Sequence, residues 1–137
     1  MKALVPDASV VLKTVLTEPG SKAAIALVAG ARTLLAPEHL YAECANALWK
    51  RAHRGLASGE AMLARAAGII ALPLDAVDLE DLTPAALAMA LEYDHPMYDC
   101  YYIAAAIQND ASLATADERL YNLAQRVGLG ERAILVR

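Results

Sequence analysis

Short apolar runs alternate with stretches of helical spacing along the chain, and this alternation restricts the fold more than any other feature. The runs "KALVP", "RTLLAP", "ASLATA" and "RAILV" are continuously apolar rather than alternating, as strands buried on both faces are. Helical spacing fills the intervals. "DASVVLKTVL" follows the first run, and "EPGSKAAIALVAGA", opened by Pro19 and Gly20 and ending near Gly30, precedes the second. "EHLYAECANALWKRAHRG" and "SGEAMLARAAGIIAL" predict a helical hairpin broken between Gly55 and Gly59, with Ser58 as N-cap. "PLDAVDLEDL" holds a short extended piece. In "TPAALAMALEYD", Thr83 is expected to cap a helix and Pro84 to take its first position. "HPMYDCYYIAAA" and "DERLYNLAQRVG" complete the set, the latter closing at Gly128. The expected class is α/β: one domain over residues 1–137, a short parallel sheet flanked by helices on both faces. No linker, repeat or low-complexity segment interrupts it.

With 58% of its 137 residues apolar and 20% charged, the chain is too hydrophobic to stay disordered. No apolar run approaches the roughly 18–20 residues of a membrane span. The start, "MKALVPDASVV", does not read as a signal peptide, so the expected location is cytoplasmic, with no membrane partner. Cys44 and Cys100 lack a C-x-x-C pairing or nearby histidines at zinc spacing, and are expected to act as small buried hydrophobes. A net charge of −4 argues against coating nucleic acid through the overall field.

Three aspartates occupy one kind of place. Asp7 follows the first strand and opens a helix, Asp117 follows "ASLAT" and opens another, and Asp99 opens the tyrosine-rich helix. Each alone is a good N-cap. In an open parallel sheet, however, strand ends and helix starts share the edge where ligands bind, so three together suggest a site. Converging carboxylates need a cation or a shared proton. Glu43 is a fourth candidate; on a helical wheel it lies beside Asn46 and Lys50, away from Leu40, Cys44 and Leu48, which also suits a solvated face. Asn46, one turn on, is placed to hydrogen-bond it. An all-oxygen set favours Mg²⁺ or Mn²⁺ over zinc. An ion so held orients a phosphodiester and helps make hydroxide from water, and the chemistry that fits is phosphodiester hydrolysis.

The segments "PDASVVLK", "AECANAL", "MYDCYYIAAA" and "LATADERL", in this order and spacing, resemble the small PIN-domain ribonucleases, particularly VapC toxins of VapBC toxin–antitoxin pairs, over essentially the whole chain. The resemblance implies an acidic quartet of Asp7, Glu43, Asp99 and Asp117 that holds Mg²⁺ or Mn²⁺ and activates water to cleave single-stranded RNA. It places accessory hydroxyls at Ser9 and Thr115. It also implies a cognate antitoxin that wraps a toxin homodimer and pushes a basic side chain into the acidic pocket. Two positions depart from the family pattern. Pro6 stands where an aliphatic residue is usual and removes a backbone donor beside Asp7. Cys100 stands where a small residue is usual, for which only a packing change is expected.

The densest basic stretch, "WKRAHRG", offers Lys50 and Arg51 as phosphate-steering residues, although cations also favour a helix end for its own sake. Lys13, a turn and a half beyond Asp7, is a further candidate for the substrate path. Tyr98, Tyr101, Tyr102, Trp49 and Tyr41 are expected to pack in the core or between subunits. His39, His53 and His95 receive no catalytic role.

Other classes fit less well. A phosphoacceptor receiver module needs an acidic pair after its first strand and a late lysine, and Asp7 has no acidic neighbour. A D-x-D phosphatase fails at Ser9. No G-x-G-x-x-G follows a strand, which removes nucleotide-cofactor binding. A housekeeping PIN nuclease and an interaction protein whose acids are only caps remain as alternatives.

Overall fold

In a computed structural model, which describes residues 3–137, five strands run in one parallel sheet of order β3-β2-β1-β4-β5. They are β1 (Ala3–Pro6), β2 (Thr33–Pro37), β3 (Leu74–Val77), β4 (Ser112–Thr115) and β5 (Ala133–Leu135). Lys2, expected in the first strand, lies outside the described residues. The helices are α1 (Ala8–Val15), α2 (Ser21–Gly30), α3 (Leu40–His53), α4 (Gly59–Ile70), α5 (Leu79–Tyr93), α6 (Met97–Gln108) and α7 (Glu118–Arg126).

Alternate strand residues feed two buried clusters. Leu4, Leu34 and Ala114 meet Val10 of α1 and Ala24 and Val28 of α2 on one face. Val5 and Leu113 meet α6 on the other face, with Leu40, Leu82 and Leu120 of its neighbours packed around them. Continuous burial on both faces explains why the strands read as unbroken apolar runs. Helix α6 is buried nearly all round: Cys100, Tyr102, Ile103, Ala104, Ala105 and Ala106 are all at most 1% exposed. Its alanines allow close approach both to the sheet and to α5. The Arg132 guanidinium closes this helix, donating to the carbonyls of Ala106 and Ala111.

Pro6 is tolerated in this central strand because of where it falls. Asp7 N–H donates to Ala114 O of β4, so the donor that Pro6 lacks would point the other way, toward β2. The β1–β2 pairing has already ended at Leu4 and Leu34.

The start of α5 departs from expectation. Thr83 is not its cap and Pro84 is not its first residue; the helix begins at Leu79, placing both inside. The Glu38 carboxylate, from the loop after β2, accepts the Leu79 N–H at 3.0 Å, and Glu80 and Asp81 add negative charge to the first turn. That support carries the helix start past a proline that would otherwise mark it. Thr83 instead donates its hydroxyl to Leu79 O, 2.6 Å away, and so accepts from Tyr101.

Candidate active site

The chain leaves β1 toward β2 on one side and returns through α6 to β4 on the other, so the gap beyond the ends of β1 and β4 is the sheet's switch point. Asp7 lies there. It caps α1, its Oδ1 accepting the Val10 N–H at 3.1 Å. Ser9 Oγ donates to the same oxygen and Thr115 Oγ1 to Oδ2. Each hydroxyl in turn accepts a backbone N–H from the loop after β4, Ser9 from Ala116 at 2.9 Å and Thr115 from Asp117 at 3.0 Å. The two hydroxyls therefore stitch the end of β4 to the carboxylate that follows β1.

A carboxylate has about four lone-pair sites; these donors occupy two on Oδ1 and one on Oδ2. One direction on Oδ2 remains. Asp7 is only 5% exposed, and burial raises its pKa from 3.8 to about 6 despite the three hydrogen bonds that favour the anion.

The other acids gather around this one. Asp117 is the exposed N-cap of α7 and accepts the Arg119 N–H at 2.9 Å. Glu43 lies in the first turn of α3 and Asp99 in the first turn of α6. Asp99 is not a cap, contrary to expectation: the helix opens two residues earlier, after Pro96, and the carboxylate takes no capping bond. Burial raises the Asp99 pKa, and the charges of Asp117 and Glu43 raise it further, whereas His95 opposes the shift. Asp99 raises that of Asp7 in the same way. Asp99 thus lies within electrostatic reach of each of the other three acids.

Two histidines passed over in the sequence engage two of these acids. His95 Nε2 lies 2.8 Å from Asp99 Oδ2, and His39 Nε2 lies 2.8 Å from Glu43 Oε1. Tyr102 donates its hydroxyl to that same Glu43 oxygen at 2.9 Å. Burial and the Glu43 charge push the phenol pKa far above its ordinary value, so it remains a donor. The usable signal was the spacing: "HLYAE" and "HPMYD" each put a histidine four residues before the acid, one helical turn away.

Several expectations need correction. Asn46 is exposed and makes no bond to Glu43, whose partners come from His39 and from α6. Lys13 is committed to Glu18 at 3.2 Å and to Pro19 O at 2.8 Å, and Arg51 reaches the same Glu18 at 3.9 Å; the two cations meet at a carboxylate instead of standing free. Lys50 is exposed on α3. Tyr102 is core as expected, but Tyr98 is 63% exposed and Trp49 58% exposed. Trp49 stacks on His53 at a helix surface.

Oxygen donors that crowd together yet mutually repel suit a hard cation. Among the described residues, no three His, Cys, Asp or Glu side chains are drawn tightly enough to chelate an ion as they stand. That agrees with their engagement by Ser9, Thr115 and the histidines. Mg²⁺ keeps several waters and takes one or two direct carboxylates, so the donor set fits it. The oxygens of the four acids without a protein partner among the described residues are Asp99 Oδ1, Glu43 Oε2 and Asp117 Oδ2, with an open direction on Asp7 Oδ2.

The PIN domain sequence profile matches residues 4–126. The chain belongs to the PIN domain family. PIN domains are in general nucleases. A comparison with curated proteins found no match. Among solved structures this PIN domain is similar to PAE2754 from Pyrobaculum aerophilum (TM-score 0.73, 20% identity, covering 98% of this chain and 83% of that one). It is also similar to VapC20 of Mycobacterium tuberculosis, a sarcin–ricin loop cleaving toxin (0.69, 16%, 91% and 95%). A third is VapBC2 from Rickettsia felis bound to a DNA fragment from its promoter (0.63, 14%, 98% and 97%). At these identities the likeness is one of fold.

Proposed function

We propose that this PIN domain, taken as residues 1–137, is a Mg²⁺- or Mn²⁺-dependent endoribonuclease. In this reading it cleaves single-stranded RNA as the toxin of a type II toxin–antitoxin pair. The observation that carries the proposal is that Asp7, Glu43 and Asp117 each lie within electrostatic reach of Asp99, with Asp7 buried at the switch point and one direction on its Oδ2 open. The family membership and the fold shared with VapC20 and VapBC2 support it.

The ion supplies charge that holds a phosphodiester and acidifies a water. The chain's own contribution is positional. Ser9 and Thr115 fix Asp7, and through their backbone acceptances they fix the loop that carries Asp117. Asp99 Oδ1 and Glu43 Oε2 are free to hold the ion or to take a proton from water. Of the three basic candidates for meeting the phosphate backbone, Lys50 is exposed, whereas Lys13 and Arg51 would have to leave Glu18 to do so. The partners in this reading are RNA, a cognate antitoxin and a second copy of the chain, in the cytoplasm. Among the described residues no helix is long and apolar enough to cross a membrane.

Induced expression in a bacterial host is expected to arrest growth and to create new RNA 5′ ends, and Asp99→Asn to do neither. Continued growth alongside Asp99-dependent cleavage in vitro would replace the toxin role with RNA processing. The absence of both growth arrest and cleavage would overturn the nuclease reading.

A further inference from the structure

The repeated histidine-to-acid spacing is more than a pair of surface contacts. The His39 side chain is 9% exposed and its ring centroid lies 4.8–5.4 Å from those of Tyr98, Tyr101 and Tyr102. Its Nε2 faces only acceptors, Glu43 Oε1 and, at 3.2 Å, the Tyr98 carbonyl, so that nitrogen carries the proton. Nδ1 is buried without a partner. An apolar side chain would fill the tyrosine cage without leaving a ring nitrogen unsatisfied. What imidazole adds is a hydrogen bond to the Tyr98 carbonyl and, from the same nitrogen, a 2.8 Å approach to Glu43 Oε1.

That approach has a directional effect. Tyr102 donates to Oε1 and the His39 Nε2 stands 2.8 Å from the same oxygen as an ion-pair contact, while Oε2 has no partner among the described residues. Turning Glu43 to offer Oε1 would break the Tyr102 hydrogen bond and give up the His39 contact. His95 acts more directly on Asp99, hydrogen-bonded to Oδ2 at 2.8 Å and leaving Oδ1 free.

The geometry points to His39 and His95 as positioning residues, each holding one oxygen of the acid a turn further on so that the other oxygen is presented to the divalent ion. This rests on the metal-centre reading above and deepens it. Partners that orient ligating side chains typically matter about 10–100-fold in metal affinity.

The test is Mn²⁺ binding without RNA, read from the electron paramagnetic resonance signal of the free ion, with thermal melting as a check on folding. His39→Leu is expected to weaken binding about 10–100-fold. His39→Gln, whose side-chain amide keeps a donor facing Glu43, is expected to recover most of the loss. Unchanged affinity in a folded His39→Leu overturns the inference. So does a loss that His39→Gln does not recover, because that marks a packing role. If His39→Leu does not melt cooperatively, the same pair of substitutions at His95 decides by the same criteria. Wild-type protein that binds no Mn²⁺ overturns the metal-centre reading itself, a result distinct from unaltered binding in the variants.

Discussion

Asp7→Asn is expected to end RNA cleavage while making the protein more stable above about pH 6. The folded state raises the Asp7 pKa from 3.8 to about 6, so it binds that proton more tightly than the unfolded chain does. Between those two values the native state holds more protons, and stability falls as pH rises. Below them the group costs nothing; above them the buried anion costs about 3 kcal/mol. Asparagine keeps the shape and removes the charge. Melting curves at about pH 4 and about pH 7.5 check this, since the stabilisation belongs only to the higher pH. Divalent ion is expected to raise the melting temperature of the wild type and not of the variant. Cleavage is expected to fall by more than about 100-fold, the upper range for partners that only orient ligands. A variant no more stable at the higher pH would show that Asp7 is not held as an unfavourable buried anion.

Thr115→Val is the second large effect. Thr115 is fully buried, its hydroxyl donating to Asp7 Oδ2 and accepting from the Asp117 N–H. Valine fills the same space but leaves the Asp117 donor without that acceptor and Asp7 without one of its donors. The expected cost is about 2–3 kcal/mol in urea unfolding, with Thr115→Ser recovering most of it. Cleavage is also expected to drop, because the loop carrying Asp117 loses its tie to Asp7. A change within about 0.5 kcal/mol, the range of an ordinary surface substitution, would mean that the hydroxyl does not organise this edge.

The strands were legible because burial on both faces leaves an unbroken apolar record, as in "TLLAP" and "SLAT". The acids at the switch point were legible for a related reason: a strand end followed by a helix start is a local pattern, visible at Asp7 and Asp117 without knowledge of the rest of the fold. Contacts made across the chain left no such record. Tyr102 reaches Glu43 across 59 positions, so Glu43 looked like a solvated residue with Asn46 as its natural partner. Glu38 reaches Leu79 across 41, and without that acceptor "TPAAL" was the better helix start. Lys13 is held by Glu18 and Pro19 in the turn after its own helix, where loop geometry rather than periodicity decides. The histidines are a different case, since their spacing from Asp99 and Glu43 was present in the sequence and only its meaning needed the fold.

The most direct measurement is cleavage of end-labelled single-stranded RNA by the purified protein, freed of any antitoxin, with Mg²⁺, with Mn²⁺ and with EDTA, beside Asp99→Asn prepared identically. The four-acid metal centre predicts cutting with either ion, none with EDTA, and none by a folded Asp99→Asn. Equal cutting by both proteins, or cutting that survives EDTA, would contradict it.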